Sequence, residues 1–179
     1  MRELIHRGIT AAAVAMLVAA GGCKREQRAI ERVTVEQSPE LAAVVWVADP
    51  KSSFQLVEGF YAPEGNSWRW TARKFSVVLR APAAAAQKGA TLRLKLNVPE
   101  AVASKLGPLT LRSTAGGTEL APETFPQAGD HEYLRDVPAQ AFQGDSVTVT
   151  FALDKALPPG PVDQRELGVI VTMVGLEPK

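Results

Sequence analysis

From Leu41 onward, short runs of alternating apolar and polar residues are separated by turn-forming residues. In the segment Leu92–Val98 every second residue is apolar, which places these side chains on one face of an extended strand. A period of two with many β-branched residues is typical of strands that bury one face. This pattern predicts the strands Ala43–Val47, Phe54–Phe60, Phe75–Leu79, Leu92–Val98, Leu109–Leu111, Tyr133–Val137, Val147–Leu153 and Leu167–Leu176. We interpret the first of these, with the sequence AVVWV, as a buried run.

Turn-forming segments between the strands define the fold class. Pro63–Gly65 and Pro158–Pro161 are strong breakers, and Ala115–Thr118 (AGGT) has the composition of a hairpin turn. Only Glu100–Leu106, directly after a proline, has the pattern of a short helix. Many short strands with frequent turns and little helix favour two packed antiparallel sheets. We therefore expect an all-β, single-domain antiparallel β-sandwich of the jelly-roll type over residues 41–179.

Residues 1–22 have the three parts of an export signal. Arg2 and Arg7 form a positively charged start, and Ile9–Ala20 is an uncharged run of 12 residues. This run is too short to cross a bilayer, which requires about 20 residues. The pattern predicts a signal peptide that is cleaved.

The residues Ala20-Gly21-Gly22 directly before Cys23 resemble the lipobox of bacterial lipoproteins, with Ala20 where that family usually has leucine. The resemblance implies that Cys23 becomes the first residue and carries covalent acyl chains such as palmitate. Several acyl chains hold a protein on a membrane almost permanently. In the alternative interpretation, the signal is an ordinary secretory one and Cys23 is incidental. Since Lys24 rather than aspartate follows the cysteine, we expect the outer membrane, facing the periplasm, if the source is Gram-negative.

Residues 23–40 form the predicted connection between the lipid and the domain. They are rich in charges of both signs and poor in apolar residues, as expected of a solvated tether. A docking segment for a partner is the alternative.

Composition and charge exclude several classes of function. Once the signal is removed, the chain carries 18 basic and 18 acidic residues, and nothing in this balance indicates the basic surface that a nucleic-acid-binding protein needs. Cys23 is the only cysteine, which excludes disulfides and thiolate metal sites within the domain. His131 is the only histidine after the signal, and the aspartates that could bind calcium are scattered. We expect no metal and no cofactor other than the lipid on Cys23.

Two clusters of informative residues lie near the ends of the domain. Gly59–Glu64 (GFYAPE) and Trp68–Thr71 (WRWT) are matched by Asp163–Gly168 (DQRELG) before the last strand. These paired motifs, over about residues 54–177, resemble bacterial jelly-roll domains of the galactose-binding type that occur beside glycosyltransferases. The resemblance implies a non-catalytic module that binds carbohydrate through loops at one end of the sandwich, although the fold alone does not establish that function.

Six residues of these clusters are the candidate ligand-binding site. Trp68 and Trp70 share one face of a strand, with Arg69 opposite, and offer rings on which a sugar can stack. Glu64, Arg69 and Arg73 would supply hydrogen-bonding groups around the rings. Tyr61 is a further aromatic candidate in the same loop region, and Arg165 completes the candidate set. Alternatively, one or both indoles fill the core, because tryptophan is normally mostly buried.

The charged residues of the same clusters have a second interpretation. If the first and last strands are neighbours, ion pairs between them stabilise the fold without binding any ligand. The residues of this network would be Glu64, Arg69, Asp163, Arg165 and Glu166.

Enzymatic function has little support in the sequence. A glycosidase needs two carboxylates across a cleft, and spacing along the chain does not establish such a pair for Glu58 and Glu64 or for Asp163 and Glu166. We expect His131 at the surface, and no nucleophile motif accompanies it. We therefore expect a lipid-anchored, non-enzymatic module that binds carbohydrate or envelope glycan. The alternative is a scaffold lipoprotein that docks an envelope protein.

Overall fold

The structure is a computed structural model that describes residues 40–179. The predicted signal peptide, Cys23 and almost all of the tether lie outside the described residues. None of the described helices is long and apolar enough to cross a membrane.

Nine strands, two short α-helices and two 3-10 helices make up the described chain. The helices are α1 (Ala85–Lys88), α2 (Glu100–Leu106) and the 3-10 turns Pro50–Gln55 and Ala139–Ala141. The strands are β1 (Val44–Trp46), β2 (Leu56–Glu64), β3 (Trp68–Arg80), β4 (Ala90–Val98), β5 (Leu109–Ala115), β6 (Thr118–Phe125), β7 (Gly129–Val137), β8 (Ser146–Leu153) and β9 (Ile170–Pro178).

All strand pairs are antiparallel, and the strand order is β6-β5-β8-β3-β9-β4-β7, with β1 added to β9 and β2 added to β3. The 13-residue strand β3 connects the two layers of the sandwich. Its first residues pair with β9, whereas Lys74–Arg80 pair with β8. The fold is therefore an antiparallel β-sandwich, as the alternation predicts.

Alternation along each strand builds the core. In β4, the leucines at every second position and Val98 are buried, while Arg93 and Lys95 lie on the other face. Tyr133 is the largest fully buried side chain. Its hydroxyl hydrogen-bonds to Ser113 and donates to the carbonyl of Ala121 on β6, at the point where β6 and β7 approach each other. Burial raises the pKa of the Tyr133 phenol, so this bridge is uncharged.

Most predicted elements are confirmed, including the helix Glu100–Leu106 and the hairpin turn between β5 and β6. Strand β6 was not predicted because Pro122 interrupts its pattern. The structure accommodates this proline at an irregularity, where Leu111 pairs with Glu123 and Ser113 with Leu120.

The interpretation of Ala43–Val47 as a buried run is wrong. Val45 and Val47 are fully buried, but Val44 is 40% exposed and Trp46 is 57% exposed. The reason is the position of β1, which pairs with β9 at the side of the sandwich and turns one face to solvent. An aromatic residue that the sequence assigns to the core therefore lies on the surface.

Candidate functional site

A tight hairpin between β2 and β3 presents the first of the predicted motifs. Three residues, Gly65, Asn66 and Ser67, form the turn. Gly65 and Asn66 both adopt the left-handed conformation, with φ of 56° and 52°, as the two central positions of a type I′ turn require. The turn brings Glu64 opposite Trp68 in the strand register. The Ser67 hydroxyl donates to the carbonyl oxygen of Gly65 and stabilises the turn.

Arg165 is the centre of an ion network beside this hairpin. Its Nη1 donates to Glu64 Oε1 at 2.9 Å, and its Nη2 donates to Asp163 Oδ2 at 2.8 Å. The guanidinium also lies over the Tyr61 ring, 5.2 Å from the ring centre. Hydrogen bonds from Arg165 lower the pKa of Asp163 to about 2, and the two carboxylates raise the pKa of Arg165. The predicted structural network is thus present for Glu64, Asp163 and Arg165.

Two more contacts attach the segment before β9 to the hairpin. The Tyr61 hydroxyl donates to the backbone oxygen of Glu166 at 2.8 Å. The Glu166 carboxylate accepts the backbone N–H of Arg73 at 2.8 Å. Glu166 therefore joins the network through hydrogen bonds with backbone groups rather than through an ion pair. The Tyr61 hydroxyl already uses its proton in one of these contacts, the hydrogen bond to Glu166.

The prediction that Arg69 belongs to the ion network is wrong. Its Nε donates to the carbonyl oxygen of Val47 at 2.5 Å, and its Nη1 donates to that of Tyr61 at 2.9 Å. Partial burial lowers the pKa of Arg69. The side chain connects the end of β1 to β2 and makes no ion pair with a described residue. Arg69 therefore lies outside the ion network, because its donors bond to the backbone oxygens of Val47, directly after β1, and of Tyr61 in β2.

Trp68 and Trp70 lie on one face, as predicted, with ring centres 6.4 Å apart and planes at 77°. Both are half-buried, and Trp70 packs against the core. The edge-to-face arrangement gives a packed pair rather than a flat double platform. Of the six candidate residues, the structure thus assigns Tyr61, Glu64, Arg69 and Arg165 to internal contacts and packs Trp70 into the fold.

Trp46 is the aromatic residue that sequence reasoning missed. Strand register explains its surroundings, because Trp46 pairs with Met173 and Arg69 pairs with Val171 on the same strand, β9. The hairpin tip before Arg69 is thereby held beside the end of β1. We name the resulting open surface the Trp46 concavity, which is lined by Trp46, Ala48, Asp49, Pro50, Asn66, Ser67 and Thr172.

The Trp46 concavity combines an exposed indole with hydroxyl, amide and carboxylate groups. Its volume is about 780 Å³, within the range of about 300–1,000 Å³ that is usual for small-molecule sites. An indole offers an apolar face, and the polar side chains can donate to and accept from hydroxyl groups. This combination suits a ligand with both apolar C–H faces and many hydroxyls.

Two further features of the described residues concern metal binding and the surroundings of His131, their single histidine. Among residues 40–179, no group of three or more His, Asp or Glu side chains is placed to hold a metal ion. His131 packs against Phe125, with ring centres 4.9 Å apart, and its Nε2 hydrogen-bonds to the backbone oxygen of Gln127.

No protein-family model and no curated protein matches the chain. Similar solved structures include an acetyl xylan esterase, Est2A, from Butyrivibrio proteoclasticus, with 10% identity and a TM-score of 0.45 over 78% of this chain and 32% of the esterase. A structure of the CBM51-2 and INT domains of ZmpB from Clostridium perfringens has 13% identity and a TM-score of 0.34, covering 75% of this chain and 28% of that one. A CBM4 structure has 10% identity and a TM-score of 0.36, covering 76% and 85%.

Proposed function

We propose that the protein is a lipid-anchored, extracytoplasmic module that binds carbohydrate at the Trp46 concavity. One observation carries the proposal: the most exposed large aromatic side chain of the described chain, Trp46, stands beside Asp49, Asn66 and Ser67. A solvent-exposed indole is costly to leave uncovered, and a sugar ring covers it with C–H groups while its hydroxyls bond to the polar neighbours.

The location of the site differs from the one that the motifs favour. Arg165 and Tyr61 already have partners within the protein, so using them for a ligand would break contacts that hold the segment before β9. Trp46, Asn66 and Ser67 are exposed and rest on strands and a tight turn, which provides a rigid site.

The experiment compares two tryptophan substitutions in the full-length protein purified in detergent. A panel of neutral and acidic oligosaccharides is titrated by calorimetry into the wild type, Trp46→Ala and Trp68→Ala. We expect Trp46→Ala to weaken binding by about a hundredfold, or about 2.7 kcal/mol, with an unchanged melting temperature, because the exposed indole adds little to the core. Trp68→Ala should lower the melting temperature and retain binding. Loss of binding only in Trp68→Ala would transfer the site to the packed pair, and unchanged affinity in Trp46→Ala would refute the proposal.

A second candidate function, docking of an envelope protein, is favoured by the edge of β2. Among the described strands β2 pairs only with β3, and Val57 and Phe54 beside this edge are 59% and 45% exposed. Such an edge can accept a strand of a partner. Cross-linking in the native envelope tests this function: a partner that is captured by the wild type and lost in Val57→Lys would support it, while the same partner in both would exclude this edge.

A further inference from the structure

A second open concavity lies next to the first on the outer face of the sheet. Its lining includes Lys95, Asn97, Asp130 and Glu132, and it shares Thr172 with the Trp46 concavity. Thr172 occupies an irregular position, since Lys95 pairs with Met173 while Leu96 pairs with Val171. This bulge places a residue of β9 at the boundary of both concavities.

Strand register aligns the two concavities across the sheet. Trp46 is opposite Met173, Met173 is opposite Lys95, and Lys95 is opposite Glu132. Opposite residues in neighbouring antiparallel strands share a face, so these four form a row across β1, β9, β4 and β7. Three strand spacings give the row a length of about 14 Å. A single sugar ring does not cover this distance, whereas a chain of sugars does.

The second concavity offers hydrogen-bonding groups at its far side. Asn97 Nδ2 donates to Asp130 Oδ1 at 2.8 Å, which holds the amide and the carboxylate side by side at the surface. After this bond, the amide still has one N–H and its oxygen, and the carboxylate still has acceptor sites. An adjacent donor and acceptor of this kind match a pair of neighbouring sugar hydroxyls.

The charges of the two concavities disfavour an anionic ligand. Arg93 donates to both Glu132 and Glu177, so its positive charge is already balanced. The remaining charges that line the two concavities are one positive charge, on Lys95, and two negative charges, on Asp49 and Asp130. A uronic acid or a phosphorylated glycan would be repelled by this balance, while a neutral sugar would not.

We infer that the two concavities form one continuous trough that binds an internal stretch of a linear, uncharged oligosaccharide. One sugar ring stacks on Trp46, and the oligosaccharide then passes over Thr172. A following sugar ring bonds to Asn97 and Asp130. Both concavities are open, which allows the chain to continue at either side. This inference rests on the proposed carbohydrate function and adds the length and the charge of the ligand.

A chain-length series tests the trough. Full-length protein in detergent is titrated with mono- to hexasaccharides of β-1,4-linked glucose, xylose, mannose and N-acetylglucosamine, and with oligogalacturonides as the anionic series. We expect the hexasaccharide of one neutral series to bind at least about tenfold more tightly than its monosaccharide, and more tightly than every oligogalacturonide. Asn97→Ala should reduce the gain in affinity that the hexasaccharide shows over the monosaccharide. Thr148→Ala, an exposed substitution on β8 outside both concavities, is the control and should change neither the affinity for short ligands nor that for long ones.

The possible failures are distinguishable. Binding that is equal for short and long ligands, or that is unaffected by Asn97→Ala, overturns the trough and leaves the Trp46 site intact. Tighter binding of the oligogalacturonides overturns the assignment to an uncharged chain. If no oligosaccharide of any series binds, both the trough and the proposed carbohydrate function are rejected.

Discussion

At the scale of single residues, similar side chains have separate roles that depend on what they contact. Arg69 bonds to backbone oxygens of Val47 and Tyr61, whereas Arg165 pairs with Glu64 and Asp163. Both arginines belong to motifs that the sequence marks as informative. Residue type alone does not separate them, because the partners of Arg165 include one that is 101 positions away along the chain.

The Arg165 network predicts a loss of stability in acid. The pKa of Asp163 is about 2 in the folded protein, compared with an ordinary value of 3.8. A carboxylate with a lowered folded pKa stabilises the fold above its unfolded pKa, and this contribution disappears as the pH falls from about 4 to about 2. We expect the wild-type melting temperature to fall more steeply over this range than that of Asp163→Asn.

The measurement is thermal unfolding at a series of pH values. Asp145→Asn is the matched control, because Asp145 is an exposed aspartate that makes no salt bridge within residues 40–179. It should keep the wild-type slope between pH 4 and pH 2. Parallel curves for wild type and Asp163→Asn would show that the Arg165 network does not contribute to the pH dependence.

At the scale of elements, the strands follow from alternation, but their exposure follows from their place in the sheet. The pattern locates β4 and β8 closely because each has one face in the core. It misjudges β1, whose two outward residues, Val44 and Trp46, are apolar. Hydrophobicity could not identify Trp46 as a surface residue, since only the pairing of β1 with β9 determines which face is covered. None of the residues that line the Trp46 concavity was therefore predicted as a site residue from the sequence.

The β5–β6 hairpin offers a test of backbone packing with neighbouring glycines. Gly116 and Gly117 both have positive φ, so alanine is strained at either position, by about 1–2 kcal/mol. Only at Gly116 would the added Cβ also meet backbone, at 2.2 Å from the carbonyl oxygen of Ala141; at Gly117 nothing lies within 4 Å. We expect Gly116→Ala to reduce the free energy of unfolding well beyond Gly117→Ala in urea denaturation. Equal losses would mean that the approach to Ala141 is not rigid.

At the scale of the whole molecule, we propose that a lipid anchor at Cys23 and a carbohydrate site at the Trp46 concavity act together. The anchor rests on the resemblance of residues 20–23 to a lipobox, and the domain rests on the described sandwich. An exposed site on a tethered domain can meet glycans within reach of the tether, and many anchored copies on one membrane strengthen attachment to a polymer through multivalency.

The anchor is tested by removing its only possible acylation site. Cys23→Ala should transfer the protein from the membrane fraction to the soluble fraction and abolish labelling by radioactive palmitate, because no other cysteine can replace Cys23. Lys24→Gln serves as the control and should stay in the membrane. A Cys23→Ala protein that still fractionates with membranes after a salt wash would contradict the anchor.

Carbohydrate binding at Trp46 is tested most directly by a two-dimensional ¹⁵N NMR titration of the indole N–H groups. The chain has three tryptophans, whose signals are assigned with Trp46→Phe, Trp68→Phe and Trp70→Phe. When a neutral hexasaccharide is added, we expect the Trp46 signal to shift or broaden most, while the signal of the packed Trp70 stays in place. Binding at Trp46 would be contradicted by a ligand that moves the Trp68 or Trp70 signal and leaves the Trp46 signal unchanged. It would also be contradicted by a panel of sugars that moves none of the three signals.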